Sequence, residues 1–221
     1  ADFDAVNLSD TIPGFHNTKN YFNSLEKIIN NTVTKRTEEV QLSLMFIRQF
    51  QHKFHQINEL IQSGKLPLRV CHNDTKIDNI LFETNGKNIK GIIDLDTLMG
   101  NSIIYDFGVA IRASCNTRGE HDTEINKVGF ELNLFKSFAK GYIGESKAFI
   151  CEVEKDLLAF SPILVTLEQA IRFLSDYING DSYYKISYPK QNLERGLNQI
   201  ALAKKMLLKE KEMDDYINSL L

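Results

Sequence analysis

The residues His72-Asn73-Asp74-Thr75-Lys76-Ile77-Asp78-Asn79 make a polar stretch between two short β-like runs, Leu68-Arg69-Val70-Cys71 and Ile80-Leu81-Phe82. A loop anchored by strands at both ends holds its side chains more firmly than a free surface loop, so these polar residues are candidates for a site. Asn85-Gly86 follows as the strongest hairpin signal in the chain, and Ile89 to Leu95 returns as a third strand. After Asp96 the expectation is a loop running through Gly100 to a segment that starts near Tyr105. A chain of this kind must fold around a small β-hairpin.

Its surroundings carry helical periodicity. Between Thr34 and Gly64, the residues Val40, Leu44, Ile47, Phe50, Phe54, Ile57 and Ile61 recur at spacings of three and four, which predicts one long helix. Thr37 is placed to cap its start, Gly64 its end, and Pro67 bars continuation. Further helices are predicted over 123–142, from Ser161-Pro162 through Ile178, and from about Gln191 onward. The fold class is therefore α+β and mostly α, a helical lobe with a β-hairpin insert. Residues 1–33, with Pro13-Gly14 and dense Asn and Thr, read as a connector into a helical lobe over 34–221.

Composition excludes several classes. The 26 Lys+Arg against 29 Asp+Glu leave a net charge of −3, without the broad basic surface that nucleic-acid binding needs. No apolar run approaches the ~18 residues of a membrane span, and Ala1-Asp2-Phe3-Asp4 is no signal peptide. Cys71, Cys115 and Cys151 never form a C-x-x-C pair, which points to a reducing, cytoplasmic setting. The absence of an initiating methionine suggests that residues precede Ala1.

Phosphoryl transfer needs few protein parts: a carboxylate to orient the attacking hydroxyl, an amide and a second carboxylate for magnesium, and a cation for the phosphate charge. Asp74, Asn79, Asp94 and Lys76 are those four residue types. A chance H-x-D-x-x-x-x-N in this length is on the order of one in a hundred, and a preceding strand with a following hairpin makes chance rarer still. The segments HNDTKIDNILF and GIIDLDTLMGNSIIYDFG resemble the aminoglycoside phosphotransferase and choline kinase group of the protein-kinase-like fold. Their wording is most similar to the branch of N-acetylhexosamine 1-kinases, and the resemblance runs from TIPGFHNT through LEQAIRFLSDYINGDSYYKI. It implies Asp74 as catalytic base, Asn79 and Asp94 as magnesium ligands, and Lys76 as a phosphate contact. Arg172 and Tyr183, with Asp74, would meet a sugar, and ATP would be the donor.

Asp106-Phe107-Gly108 spells a kinase metal motif but lies too far from Asn79, so Asp106 is expected to support the loop as a hydrogen-bond acceptor and Asp94 to take the metal role. His72 is expected to support the loop as well. None of the 12 glycines forms a G-x-G-x-x-G loop, so the chain resembles the C-terminal lobe alone, partnered by a missing N-terminal ATP lobe and inactive without it. The expected substrate is a small molecule, most concretely the anomeric hydroxyl of an N-acetylhexosamine. The alternatives are choline or an aminoglycoside, the latter calling on Glu145, Glu152, Glu154 and Asp156, and a non-enzymatic pseudo-kinase or sugar-binding module. Arg172 is equally readable as a surface cation, and Asp96 as a second metal contact or a backbone acceptor. One of Tyr183 and Tyr184 is expected to line a pocket while the other packs. Cys71 reads as a buried strand residue, and His52 with His55 as a solvated helix face.

Overall fold

The computed structural model describes residues 4–31, 34–86 and 88–221, so the opening Ala1 to Phe3 lies outside the described residues. In chain order the helices and strands are α1 (Thr18–Asn31), α2 (Lys35–Glu39), α3 (Gln41–Arg48), α4 (Gln51–Gln62), β1 (Arg69–Cys71), β2 (Ile80–Phe82), β3 (Ile89–Ile92) and β4 (Met99–Asn101). Then follow α5 (Ile103–Ser114), α6 (Leu132–Ser146), α7 (Glu152–Leu158), α8 (Ser161–Ile178), α9 (Gln191–Leu207) and α10 (Glu210–Asn218). The fold is mostly helical, as the sequence indicates, and beside the expected β2–β3 hairpin it has a second small antiparallel sheet, β1–β4.

Helix α8 is the centre. Pro162 sits in its first turn, where the missing N–H costs nothing, and residues on every side of it are buried. It packs against α1, α5 and α9. Two glycines permit that approach: a Cβ at Gly108 of α5 would lie 2.6 Å from the Ser161 carbonyl oxygen, and one at Gly196 of α9 would lie 2.6 Å from Leu174 Cδ2. Among the described residues no single helix is long and apolar enough to cross a membrane.

Five local expectations need correction. The single helix over 34–64 is three helices, because the backbone turns near φ −100°, ψ 0° at Val40 and again at Phe50. Val40, Leu44, Ile47, Phe54 and Ile57 are nevertheless all buried, since periodicity reports a shared face rather than an unbroken hydrogen-bond ladder. Thr34, not Thr37, is the N-cap, and the two form a reciprocal capping box. The helix predicted from Thr123 starts only at Leu132, because Gly129 and Thr117 bond each other in both directions and hold the approach extended. Strand β3 stops at Ile92, since Asp94 turns left-handed (φ 63°, ψ 53°), and the expected loop after Asp96 contains β4, paired with β1.

The segment read as a connector also contributes to the core. Helix α1 buries Thr18, Phe22 and Leu25 against α8 and α4. Asn85-Gly86 does turn the β2–β3 hairpin, with Gly86 at φ +67°.

Candidate functional site

The loop from His72 to Asn79 is held from beneath. The backbone N–H groups of His72 and Asn73 donate to the two carboxylate oxygens of Asp106, at 3.0 and 2.6 Å, and Thr75 Oγ1 donates to the Asp106 carbonyl at 2.5 Å. Burial pushes the Asp106 carboxyl up, and the two amides oppose that shift. Asn73 sits at φ +65°, a conformation Asn tolerates better than most residues, and its side chain is fully engaged. Its Nδ2 donates to the carbonyls of Cys71 and Thr97, while its Oδ1 accepts from Asn101. Cys71 is buried, with its thiol pushed up by desolvation and donating to the Asn101 carbonyl, which suits packing and not nucleophilic attack.

His72 links the loop to the hairpin. Its Nε2 donates to the Ile93 carbonyl at 2.9 Å, and its Nδ1 accepts the Asp74 N–H at 3.3 Å. A carbonyl only accepts and an amide only donates, so these partners select the Nε2–H tautomer. The residue after Ile93 is Asp94.

Four side chains meet at this junction. Asp74 Oδ2 accepts from Lys76 Nζ at 2.6 Å and from Asn79 Nδ2 at 3.0 Å. The same ammonium lies 3.8 Å from Asp94 Oδ2. Burial lowers the Lys76 pKa, but Asp74 and Asp94 outweigh it and hold the amine above its ordinary value. A positive charge thus already sits between the two carboxylates. Among the described residues none donates to Asn79 Oδ1, which leaves a hard oxygen on the side chain that bonds Asp74, and Asp94 is half-exposed. No group of three His, Cys, Asp or Glu side chains among the described residues could hold a metal. An amide with one carboxylate fits instead a cation that brings its own water and phosphate ligands, as magnesium does.

Asp74 borders a cleft of about 560 Å³, lined also by Phe15, Lys76, Glu120, Arg172 and Tyr184. The Arg172 guanidinium sits 5.5 Å from the ring centres of Phe15 and Tyr21 and 5.7 Å from that of Tyr184, and donates to Gln169 Oε1 at 3.3 Å. Glu120 accepts from Arg112 at 3.0 Å and from Arg195 at 2.8 Å. Burial pushes its carboxyl up, but the two guanidiniums outweigh burial and hold it below the usual range. Tyr183, expected at the substrate, is 74% exposed and does not line the cleft; its neighbour Tyr184 does. Glu154 is buried against Arg69, and neither it nor Glu145, Glu152 or Asp156 borders the cleft. Asp96 contributes its backbone carbonyl, which accepts from Thr11 Oγ1.

Sequence reading did not single out His16, Thr97, Asn101, Glu120 or Glu168. Their spacing carries no signal, since each acts through partners brought together by folding. Asp74, Lys76, Asn79 and Asp94 thus bring a carboxylate, a cation, an amide and a second carboxylate to one junction. The family model of the phosphotransferase enzyme family (APH) matches residues 1–135, more than half of the 221, and spans α1, the loop, the hairpin and α5. The chain belongs to that phosphotransferase family.

Proposed function

We propose that this chain is the acceptor and metal half of an ATP-dependent kinase acting on a hydroxyl of a small neutral molecule, most concretely an N-acetylhexosamine. The observation that carries this reading is the place of Asp74. Its carboxylate accepts from Lys76 and Asn79, and it borders, together with Lys76, the cleft that Arg172 and Tyr184 also line.

In that reading Asp74 orients the acceptor hydroxyl and takes its proton as the oxygen attacks the terminal phosphorus of ATP, whose bond to the bridging oxygen breaks to release ADP. Lys76, now paired with Asp74, meets the charge on the phosphate oxygens. Asn79 and Asp94 would hold magnesium, which supplies charge neutralisation on the phosphates. Arg172 and Tyr184 offer a guanidinium and a phenol to the acceptor's oxygens. Beyond Asp74 and Asp78, the cleft's remaining carboxylate, Glu120, is committed to two arginines. A polycationic aminoglycoside or a quaternary amine would meet Lys76, Arg112, Arg172 and Arg195 with little free negative charge, which favours a neutral acceptor.

The hairpin supports a further part of the proposal. Leu81, Phe82, Ile89 and Ile92 are exposed beside Asn79 and Asp94, and a nucleotide-binding lobe would cover them. The 221-residue chain alone is then expected to turn over at least 100-fold below the ~1–100 s⁻¹ of ordinary kinases. The test combines thermal-shift screening of sugars, choline and aminoglycosides with a transfer assay of Asp74→Asn. The expected result is stabilisation by N-acetylhexosamines, retained in Asp74→Asn, with transfer reduced by about 10²–10⁴-fold in the variant. Stabilisation by aminoglycosides and not by sugars would overturn the acceptor class. Transfer by Asp74→Asn at the parent's rate would overturn the base.

A further inference from the structure

Behind the loop lies a buried ion pair that the proposed chemistry does not use. His16 and Glu168 are 6% and 2% exposed, and His16 Nδ1 lies 2.8 Å from Glu168 Oε1. The other ring nitrogen, Nε2, lies 2.8 Å from the Asn73 carbonyl oxygen. Thr18 Oγ1 donates to Glu168 Oε2 at 2.5 Å, and the imidazole stacks on Tyr105 at 4.9 Å with 14° between planes. The carbonyl can only accept, so Nε2 carries a hydrogen, and the carboxylate and Nδ1 share one further proton. Burial pushes the Glu168 carboxyl up, yet His16, Thr18 and Arg172 together outweigh burial and hold it low. Two such groups are costly to bury, and an apolar pair of similar volume would pack α1 against α8 at least as stably.

The geometry shows what the pair holds. The Asn73 carbonyl belongs to the same peptide plane as the Asp74 N–H. His16 grips the oxygen of that plane, and His72 Nδ1 accepts its N–H at 3.3 Å. A peptide is planar, so gripping both ends sets the direction in which the Asp74 Cα and carboxylate leave it. Glu168 lies one helical turn before Arg172, so the same pair ties the cleft's guanidinium-bearing helix to the loop.

We propose that His16 is a positioning residue: with Glu168 it bolts α8 to the Asn73–Asp74 peptide and so aims the Asp74 carboxylate at the acceptor. This rests on the phosphotransferase reading for its catalytic consequence, but not for its structural one. The test uses two substitutions that place an amide differently, since Gln reaches the Nε2 position and Asn the Nδ1 position. His16→Gln keeps a donor to the Asn73 carbonyl, while His16→Asn loses it and keeps a partner for Glu168. In His16→Asn, kcat is expected to fall about 10–100-fold with acceptor KM within threefold, as a misaimed base implies. His16→Gln is expected to stay within about fivefold of the parent. Amide hydrogen exchange across residues 72–76, which needs no substrate, is expected to quicken about tenfold or more in His16→Asn and much less in His16→Gln.

Equal losses in the two variants would assign His16 to bulk packing and overturn the proposal, as would parental exchange and kcat in His16→Asn. A parent that phosphorylates no hydroxyl would sink the functional reading, while exchange would still decide the bolt. Should His16→Asn fail to fold, Glu168→Gln preserves shape and removes the ion pair. Faster exchange confined to residues 72–76 is then expected, and a parental pattern would overturn the proposal.

Discussion

The two structures that flank Asp74 are built in opposite ways. Behind it, His72 and Asn73 are pinned by Asp106, Thr97, Asn101 and His16, all partnered within the protein's own core. In front, Asn79 and Asp94 ride on a two-stranded hairpin whose apolar residues Leu81, Phe82, Ile89 and Ile92 face outward. A lone hairpin is marginal in water. This one is steadied where it joins the loop, by the Ile93 N–H on the Asn79 carbonyl and by His72 on the Ile93 carbonyl. The contrast separates two jobs. The loop that carries Asp74 is held by buried hydrogen bonds, which are directional and costly to break. The hairpin presents apolar residues on a surface ready to be covered.

The largest expected effect lies behind the loop. Asp106→Ala strips the acceptors from two backbone N–H groups, and unfolding in urea should show a loss of about 2–4 kcal/mol. A loss below about 0.5 kcal/mol would remove the basis for calling the rear support rigid.

An intermediate effect is expected at the cleft wall. The Glu120 carboxyl is held below its ordinary 4.5 by Arg112 and Arg195. Its contribution to stability is therefore complete above pH 4.5 and disappears as pH falls through the lower folded-state value. Glu120→Gln should be less stable than the parent at neutral pH, and the gap should close in acid. Denaturation profiles that run parallel down to pH 3 would show that Glu120 carries no such linkage.

The smallest effect belongs to the hairpin. Ile89→Thr, at a position 64% exposed, should shift stability by no more than about 0.5 kcal/mol at any pH. A loss of several kcal/mol would mean that the hairpin is packed in this chain and would erase the contrast between the two sides.

The loop between two strands, the Asn85-Gly86 turn and the Pro162 helix start were all legible in the sequence, because each depends on neighbours within a few residues. So was the stripe from Val40 to Ile57, although the breaks at Val40 and Phe50 were not. Tyr183 and Tyr184 show the limit most clearly. Adjacent in sequence and alike in chemistry, they differ in which ring borders the cleft, and the choice follows from how the turn closes on Asp176, whose carboxylate accepts the N–H groups of residues 182, 183 and 184.

Residue order alone was enough to point to the phosphotransferase family, since Asp74, Lys76, Asn79 and Asp94 lie within one loop and one hairpin whose local hydrogen bonds bring them together. Folding was needed to reveal the rest of what holds Asp74. His16 and Glu168 stand 58 and 94 positions from Asp74 by subtraction of their numbers, and no periodicity connects residues so far apart. They become partners because burial leaves each polar group to find a hydrogen bond inside the core, and only packing decides which one it meets.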